Sequence, residues 1–214
     1  GSATAPGVGF GVTAMSTDAG GSVLWGDGPR IRRVDTSTGI VTTVAGTGVQ
    51  GFSGDGGPAI LAQLSDAGGI ATDLSGAIFI SESTTCRIRR VDPLLGTIST
   101  IAGTGVAGFS GDGGPAVEAQ LQAPQGLAVD GFGGLLVADS SNNRIRRIDL
   151  ATGIITTVAG NGSTDLPVGV QPALESGIGG PEWIAVDSEN HLYCTTLHGV
   201  VCRVDLQTGL VARF

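Results

Sequence analysis

The feature that most constrains this chain is its self-similarity. VAGTG at residues 44–48 returns as IAGTG at 101–105 and VAGNG at 158–162. RIRRVD at 30–35 returns at 87–92 and, as RIRRID, at 144–149, so each recurrence falls 57 residues after the last. A worn fourth copy, CRVD, stands at 202–205. In each unit an apolar run ends in an aspartate: Asp18, Asp73, Asp130 and Asp187. Repeats of this length are supersecondary units that bury their apolar faces only by stacking on one another.

In the third unit the runs GLAVD (126–130), LLVAD (135–139), RIRRID (144–149) and GIITTVAG (153–160) are separated by turn residues such as SSNN and LATG. They predict four short strands joined by short hairpins, hence antiparallel neighbours. The 38 glycines suit many turns and disfavour long helices. A twisted four-stranded sheet cannot bury both faces alone, and radial stacking of such sheets gives a β-propeller. The link between units, from Gly48 to Gly68 in the first case, carries GFSGDGGPA at 51–59, repeated unchanged at 108–116. Pro58, Pro115 and Pro172 keep the step and suit a first helical position. Behind them Ile60/Leu64, Val117/Leu121 and Leu174/Ile178 repeat an i, i+4 apolar spacing. Each link is therefore predicted to hold a helix of one or two turns packed on the propeller's end.

Charge and cysteine content narrow the function. The 11 basic residues, all arginine, face 19 acidic ones, and a formal net charge of −8 disfavours nucleic acid as a partner. No uninterrupted apolar run approaches the roughly 18 residues of a membrane span. Of three cysteines, Cys194 and Cys202 share one hairpin and Cys86 lies far off. A cross-strand bridge and two separate buried thiols both remain open. The opening GS reads as an expression remnant with no signal peptide behind it, and the end at LVARF, directly after a last strand, reads as the boundary of a piece from a longer protein.

NRIRRID…TGIITTVAGNG and GFSGDGGPAxxAQL…PQGLAVDGFGGLLVADSSNNRIRRID resemble NHL-repeat propellers in the variant with the GDGGPA insert, and the resemblance runs from Val12 onward. It implies an all-β propeller, or propeller segment, of four NHL-type four-stranded blades with short helices in the inter-blade links. The family's usual ring has six blades; here a four-bladed ring, an arc of a larger ring and mutually completing chains are the alternatives. The expected organisation is a lead-in at 1–11, blades at 12–46, 68–103, 125–160 and 182–214, and links at 47–67, 104–124 and 161–181. Domains of this family mostly serve as interaction platforms, so the expected function is a non-catalytic module presenting ring-end loops to a protein or glycan partner. An extracellular or cell-surface setting is favoured, with self-association through open blade faces as a further partner mode. The alternatives are a structural repeat in an extracellular assembly and a metal-dependent lyase or hydrolase.

GFSGDGGPA lacks the lysine and Ser/Thr of a phosphate loop. As a calcium loop it offers one carboxylate, Asp55 or Asp112, where a hard cation needs several oxygens. In the third link, DLPVGVQPA, Leu166 replaces Phe52 and Phe109, and Gly169 replaces the aspartates. The phrase is thus read as a turn with a phenylalanine plug, its aspartate accepting backbone N–H groups at the helix start; ligand binding by Phe52, Phe109, Asp55 and Asp112 is the alternative. Arg33, Arg90, Arg147 and Arg203, with Asp18, Asp73, Asp130 and Asp187, are read as structural positions that pair arginine with aspartate between neighbouring blades. Only His191 and His198 exist, both in the last unit, so no catalytic residue, metal site or cofactor is expected. Trp183, with Glu182 beside it, replaces the glycines Gly69 and Gly126 and is the leading contact candidate, with core packing as the other reading of its ring.

Overall fold

A computed structural model describes residues 12–214; the lead-in assigned to residues 1–11 lies outside them. Four antiparallel sheets follow one another along the chain. The first holds β1 (Val12–Thr17), β2 (Val23–Asp27), β3 (Ile31–Asp35) and β4 (Ile40–Ala45). The second holds β5 (Ala67–Thr72), β6 (Ile78–Glu82), β7 (Arg87–Val91) and β8 (Ile98–Ala102). The third holds β9 (Pro124–Val129), β10 (Gly134–Asp139), β11 (Arg144–Asp149) and β12 (Ile155–Ala159). The fourth adds a short edge strand, β13 (Gln171–Pro172), to β14 (Pro181–Val186), β15 (His191–Thr196), β16 (Val201–Asp205) and β17 (Leu210–Arg213). Within each four-strand run the order is that of the chain, as short hairpins require.

The sheets stack through their first strands: β1 lies against β5, β5 against β9, and β9 against β14. Backbone meets backbone there. A Cβ on Gly69 would stand 2.5 Å from the Gln125 carbonyl oxygen, and one on Gly126 would stand 2.6 Å from that of Glu182. Any side chain at either position would push neighbouring sheets apart. Between each pair of sheets lies one apolar core, closed by the intervening link. The first joins Leu24 and Ile31 to Ile70, Ile80 and the link's Leu64. The second joins Phe79 and Ile88 to Leu127, Leu135 and the link's Leu121. The third joins Leu136 and Ile145 to Leu192, Val204 and the link's Ile178. Each fully buried leucine or isoleucine contributes about 1.5–3 kcal/mol.

The links differ from the expected helices. Only one 3-10 turn forms in each of the first two, at Ala59–Leu61 and Ala116–Glu118, and the third link carries β13. Pro58 and Pro115 stand one residue before the turn in extended backbone. Ile60, Val117 and Leu174 face outward, while Ala59, Ala62, Ala116 and Ala119 are buried. The physical reason is hydrogen bonding from both sides. Ile98 on β8 accepts from Gly56 and donates to Gly57, and Ala59 donates to Gly96. Meanwhile Gly46 donates to Ala59 and Thr47 to Ala62. The link therefore runs as an edge strand on the sheet that follows it, tied back to the sheet before it. No backbone groups remain for an i to i+4 ladder. The same pattern recurs at Gly113, Ile155 and Ala116, and at Ala173 with Gly209.

Candidate functional site

The repeated phrase is organised around a buried arginine. In the second sheet Arg89 is fully buried; its Nη2 donates to the Asp55 carboxylate at 2.7 Å and to the Ser53 carbonyl at 3.1 Å, and its Nη1 to Glu82 at 3.3 Å. Glu82 in turn accepts the Ser65 backbone N–H at 2.7 Å. The third sheet repeats this: Arg146 donates to Asp112 at 2.8 Å, to the Ser110 carbonyl at 3.1 Å and to Asp139 at 3.4 Å, and Asp139 accepts the Gln122 N–H at 2.7 Å. One guanidinium thus grips the start of the link while the carboxylate beside it grips the end. The fork of donors that only arginine supplies suits this task. Burial pushes the carboxyls of Glu82 and Asp139 above their ordinary values, against the opposing pull of the backbone N–H and the arginine.

Asp55 and Asp112 therefore do not cap a helix, and no side chain caps either 3-10 turn. They reach instead for an arginine on the next sheet. Nor are the phenylalanines buried plugs: Phe52 and Phe109 remain 40% and 41% exposed. Each ring lies under two guanidinium groups. Arg87 and Arg89 stand 3.8 and 4.8 Å from the Phe52 centroid, and Arg144 and Arg146 stand at the same distances from Phe109. The ring face attracts both cations. Gly54 and Gly111 let the link fold back closely on its own later residues, since both have φ near +90° and a Cβ there would collide with Ala62 or Ala119.

The turn aspartates follow a second rule. Asp18, Asp73, Asp130 and Asp187 each accept two backbone N–H groups of the first hairpin turn through one oxygen. Arg33 pairs with Asp18 at 2.7 Å and Arg147 with Asp130 at 2.6 Å, both within one sheet. Arg90 pairs with Asp92 at 3.2 Å, and Asp187 meets His191 and Tyr193 instead of Arg203. These pairs do not join neighbouring sheets, because hairpin register sets the third strand's arginine beside its own sheet's first turn.

Trp183 occupies the place of Gly69 and Gly126 on the fourth sheet and is 49% exposed, with its backbone N–H donated to the Thr195 hydroxyl and Glu182 beside it on β14. Cys194 and Cys202 face each other across β15 and β16 as free buried thiols. A hydrogen bond to Cys202, with burial, holds Cys194 protonated. Among the described residues no three His, Cys, Asp or Glu side chains converge to hold a metal, and no helix is long and apolar enough to cross a membrane. The sequence reading missed the exposed apolar residues of the hairpin turns, some of them beside the link's Pro58 and Ile60. These turns project Leu74 at 95% exposure and Leu94 at 94%, with Leu95 and Phe132 also exposed. Their signal was a leucine inside a turn otherwise made of Asp, Ser, Gly and Pro.

A family model described as Teneurin NHL domain matches residues 106–174, and one described as Strictosidine synthase-like, N-terminal, matches residues 171–204. Human Teneurin-4 is 35% identical over 161 residues, which is 69% of this chain and 6% of that protein. The Arabidopsis thaliana protein SUPPRESSOR OF QUENCHING 1, chloroplastic, is 41% identical over 85 residues, 40% of this chain and 8% of that one. The chain thus spans less than a tenth of either relative. Among solved structures, a Bacteroides thetaiotaomicron protein of unknown function superposes with a TM-score of 0.69 at 19% identity, covering 95% of this chain and 47% of that one. Virginiamycin B lyase of Staphylococcus aureus gives 0.62 at 18%, covering 98% and 57%. A chain of the nidogen/laminin complex gives 0.55 at 17%, covering 95% and 78%. The class is an all-β repeat protein of the β-propeller type. The repeats are NHL repeats, and the chain belongs to the NHL-repeat family.

Proposed function

We propose that the four sheets, with the boundaries drawn from the sequence, are successive blades of an NHL propeller. Its role is to bind a protein or glycan partner rather than to catalyse a reaction. The observation that carries this reading is where the polar chemistry goes. Arg89, Arg146, Glu82 and Asp139 lock links to sheets, and the turn aspartates hold hairpins. At the turns, solvent meets the apolar Leu74, Leu94, Leu95 and Phe132 beside polar residues such as Ser37, Glu189 and Thr208. Leu74 and Leu94, the most exposed of the large apolar residues, offer contact points on the turns of a rigid scaffold. The likeness to teneurin over 161 residues supports an extracellular setting. The solved neighbours include a lyase and a chain of the nidogen/laminin complex, so fold alone does not choose between the two activities.

The test uses a laminin-coated sensor and a glycan array as probes, with the Leu74→Asp/Leu94→Asp double variant as control. Saturable binding that the variant loses while its melting temperature holds supports the reading. Turnover of virginiamycin B, or a stoichiometric bound metal in the purified chain, overturns it in favour of an enzyme.

A further inference from the structure

The first sheet departs from the other three in one respect. On the second, third and fourth sheets the last strand is covered by the preceding link, through backbone bonds at Ile98, Ile155 and Gly209 and the pairing of β13 with β17. Strand β4 keeps the same register: Val41 lies opposite Val34 as Ile98 lies opposite Val91. Val41 therefore turns its N–H and carbonyl outward, and among the described residues none pairs with them. Such an edge accepts an added strand.

The arginine socket beside this edge is also incomplete. Arg32 stands where Arg89 and Arg146 stand, yet its side chain is 22% exposed against zero for those two. Its nearest carboxylate, Asp27, is 3.9 Å away. Arg32 turns instead to the hydroxyl of Thr43. On the third sheet the matching hydroxyl, Thr157, donates to Asp112. Arg32 thus leans on the group that elsewhere helps hold the link's aspartate. Arg30 is fixed by the Thr47 carbonyl as Arg87 is by that of Thr104, in the position that stacks on Phe52.

We propose that the outer edge of the first sheet, strand β4 with Arg32 and Arg30, is a docking site for the link peptide of a neighbouring NHL repeat. The occupant is an extended segment of the Phe-Ser-Gly-Asp-Gly-Gly-Pro-Ala kind. Its backbone pairs with Val41, its carboxylate meets Arg32 and Thr43, and its aromatic ring lies under Arg30 and Arg32. The argument rests on comparison of the sheets and stands apart from the partner assigned to the hairpin turns.

The test is fluorescence polarisation of a labelled synthetic peptide with the sequence of residues 51–64, titrated with the 214-residue chain. Saturable one-to-one binding is expected, and Asp55→Asn in the peptide should weaken it about tenfold by removing a charge-assisted hydrogen bond. Arg32→Met in the chain should give a matching loss. Val41→Pro removes the outward donor of an edge strand, a position that tolerates proline, together with a buried side chain, and should also weaken binding; with a melting curve showing that it folds, it serves if Arg32→Met fails to fold. Absence of saturable binding overturns the proposal. So does binding that ignores Arg32→Met and Val41→Pro, which would mean exchange with the links on the other sheets.

Discussion

The third and fourth sheets receive their links by different chemistry. On the third, a buried arginine, a buried aspartate and a link aspartate form one unit: Arg146, Asp139 and Asp112. On the fourth, register sets Cys202 where Arg146 stands, Thr196 where Asp139 stands, and Gly169 where Asp112 stands. All three polar members are gone together, and Leu166 packs against an apolar core in place of Phe109. The strand-like pairing of link to sheet edge persists in both. Backbone pairing is thus the common means of attachment, and the arginine clasp is carried whole by the second and third sheets and lost whole by the fourth. The physics explains the joint loss. A buried charge that loses its partner costs far more than the pair contributes, so intermediate combinations are the least stable.

That contrast is broken most severely by removing one member. Arg146→Ala is expected to destabilise by about 3–5 kcal/mol, because Asp139 is left buried beside no cation. The triple change Arg146→Cys, Asp139→Thr, Asp112→Gly converts the third sheet to the fourth sheet's set and should unfold closer to the parent than Arg146→Cys alone. Urea denaturation of the three proteins decides it. Additive losses would show that the members act independently, and the modular account would fail.

Phe109→Ala ranks next, at about 1–2 kcal/mol, from two cation–ring contacts and a half-covered ring. A loss near 4 kcal/mol would mean that the ring is buried in solution. Asp112→Ala should cost about 1 kcal/mol, since its carboxylate is partly exposed and Asp139 still balances Arg146. Thermal melts of both variants, set beside the same changes at Phe52 and Asp55, would show whether the two clasps are equivalent.

Why some of this was legible in sequence and some was not follows from the same residues. Strands, hairpins and turn aspartates were legible because each depends on local pattern: β-branched runs for β9 to β12, and Asp130 two residues before the N–H it binds. The link helix was misread because Pro58 followed by Ile60 and Leu64 fits a short helix as well as an edge strand. Only the partner across the gap, β8, decides between them. The buried arginine was hidden by a bulge. Strict alternation in RIRRID lets Ile145 or Arg146 face inward, not both. A shift of register between those two residues, repeated at Ile88/Arg89 and Ile31/Arg32, buries the pair on the second and third sheets. The one available signal was joint loss in the fourth unit, where Gly169, Thr196 and Cys202 stand in for three charged residues.

The smallest effect separates clasp from turn by pH. Hydrogen bonds within the turns hold Asp35, Asp92, Asp149 and Asp205 below the ordinary carboxylate value of 3.8. Their contribution is present above that value and is lost as pH falls through the lowered one. Glu82 and Asp139 shift the other way, upward from 4.5 and 3.8, chiefly through burial. In the window between those ordinary values and the raised ones, these two carboxyls hold more protons in the folded chain than in the unfolded chain. Their share of the stability therefore declines as pH rises through that window. Glu82→Gln removes the ionisation while Asp55 still balances Arg89, so the decline should become shallower. The double variant Glu82→Gln/Asp139→Asn should lose most of it. Melting temperature followed from pH 4 upward is the readout, with the slope as the measured quantity. A slope unchanged in both variants would mean that neither carboxyl titrates with folding. The clasp would then be wetter than its fully buried arginines imply.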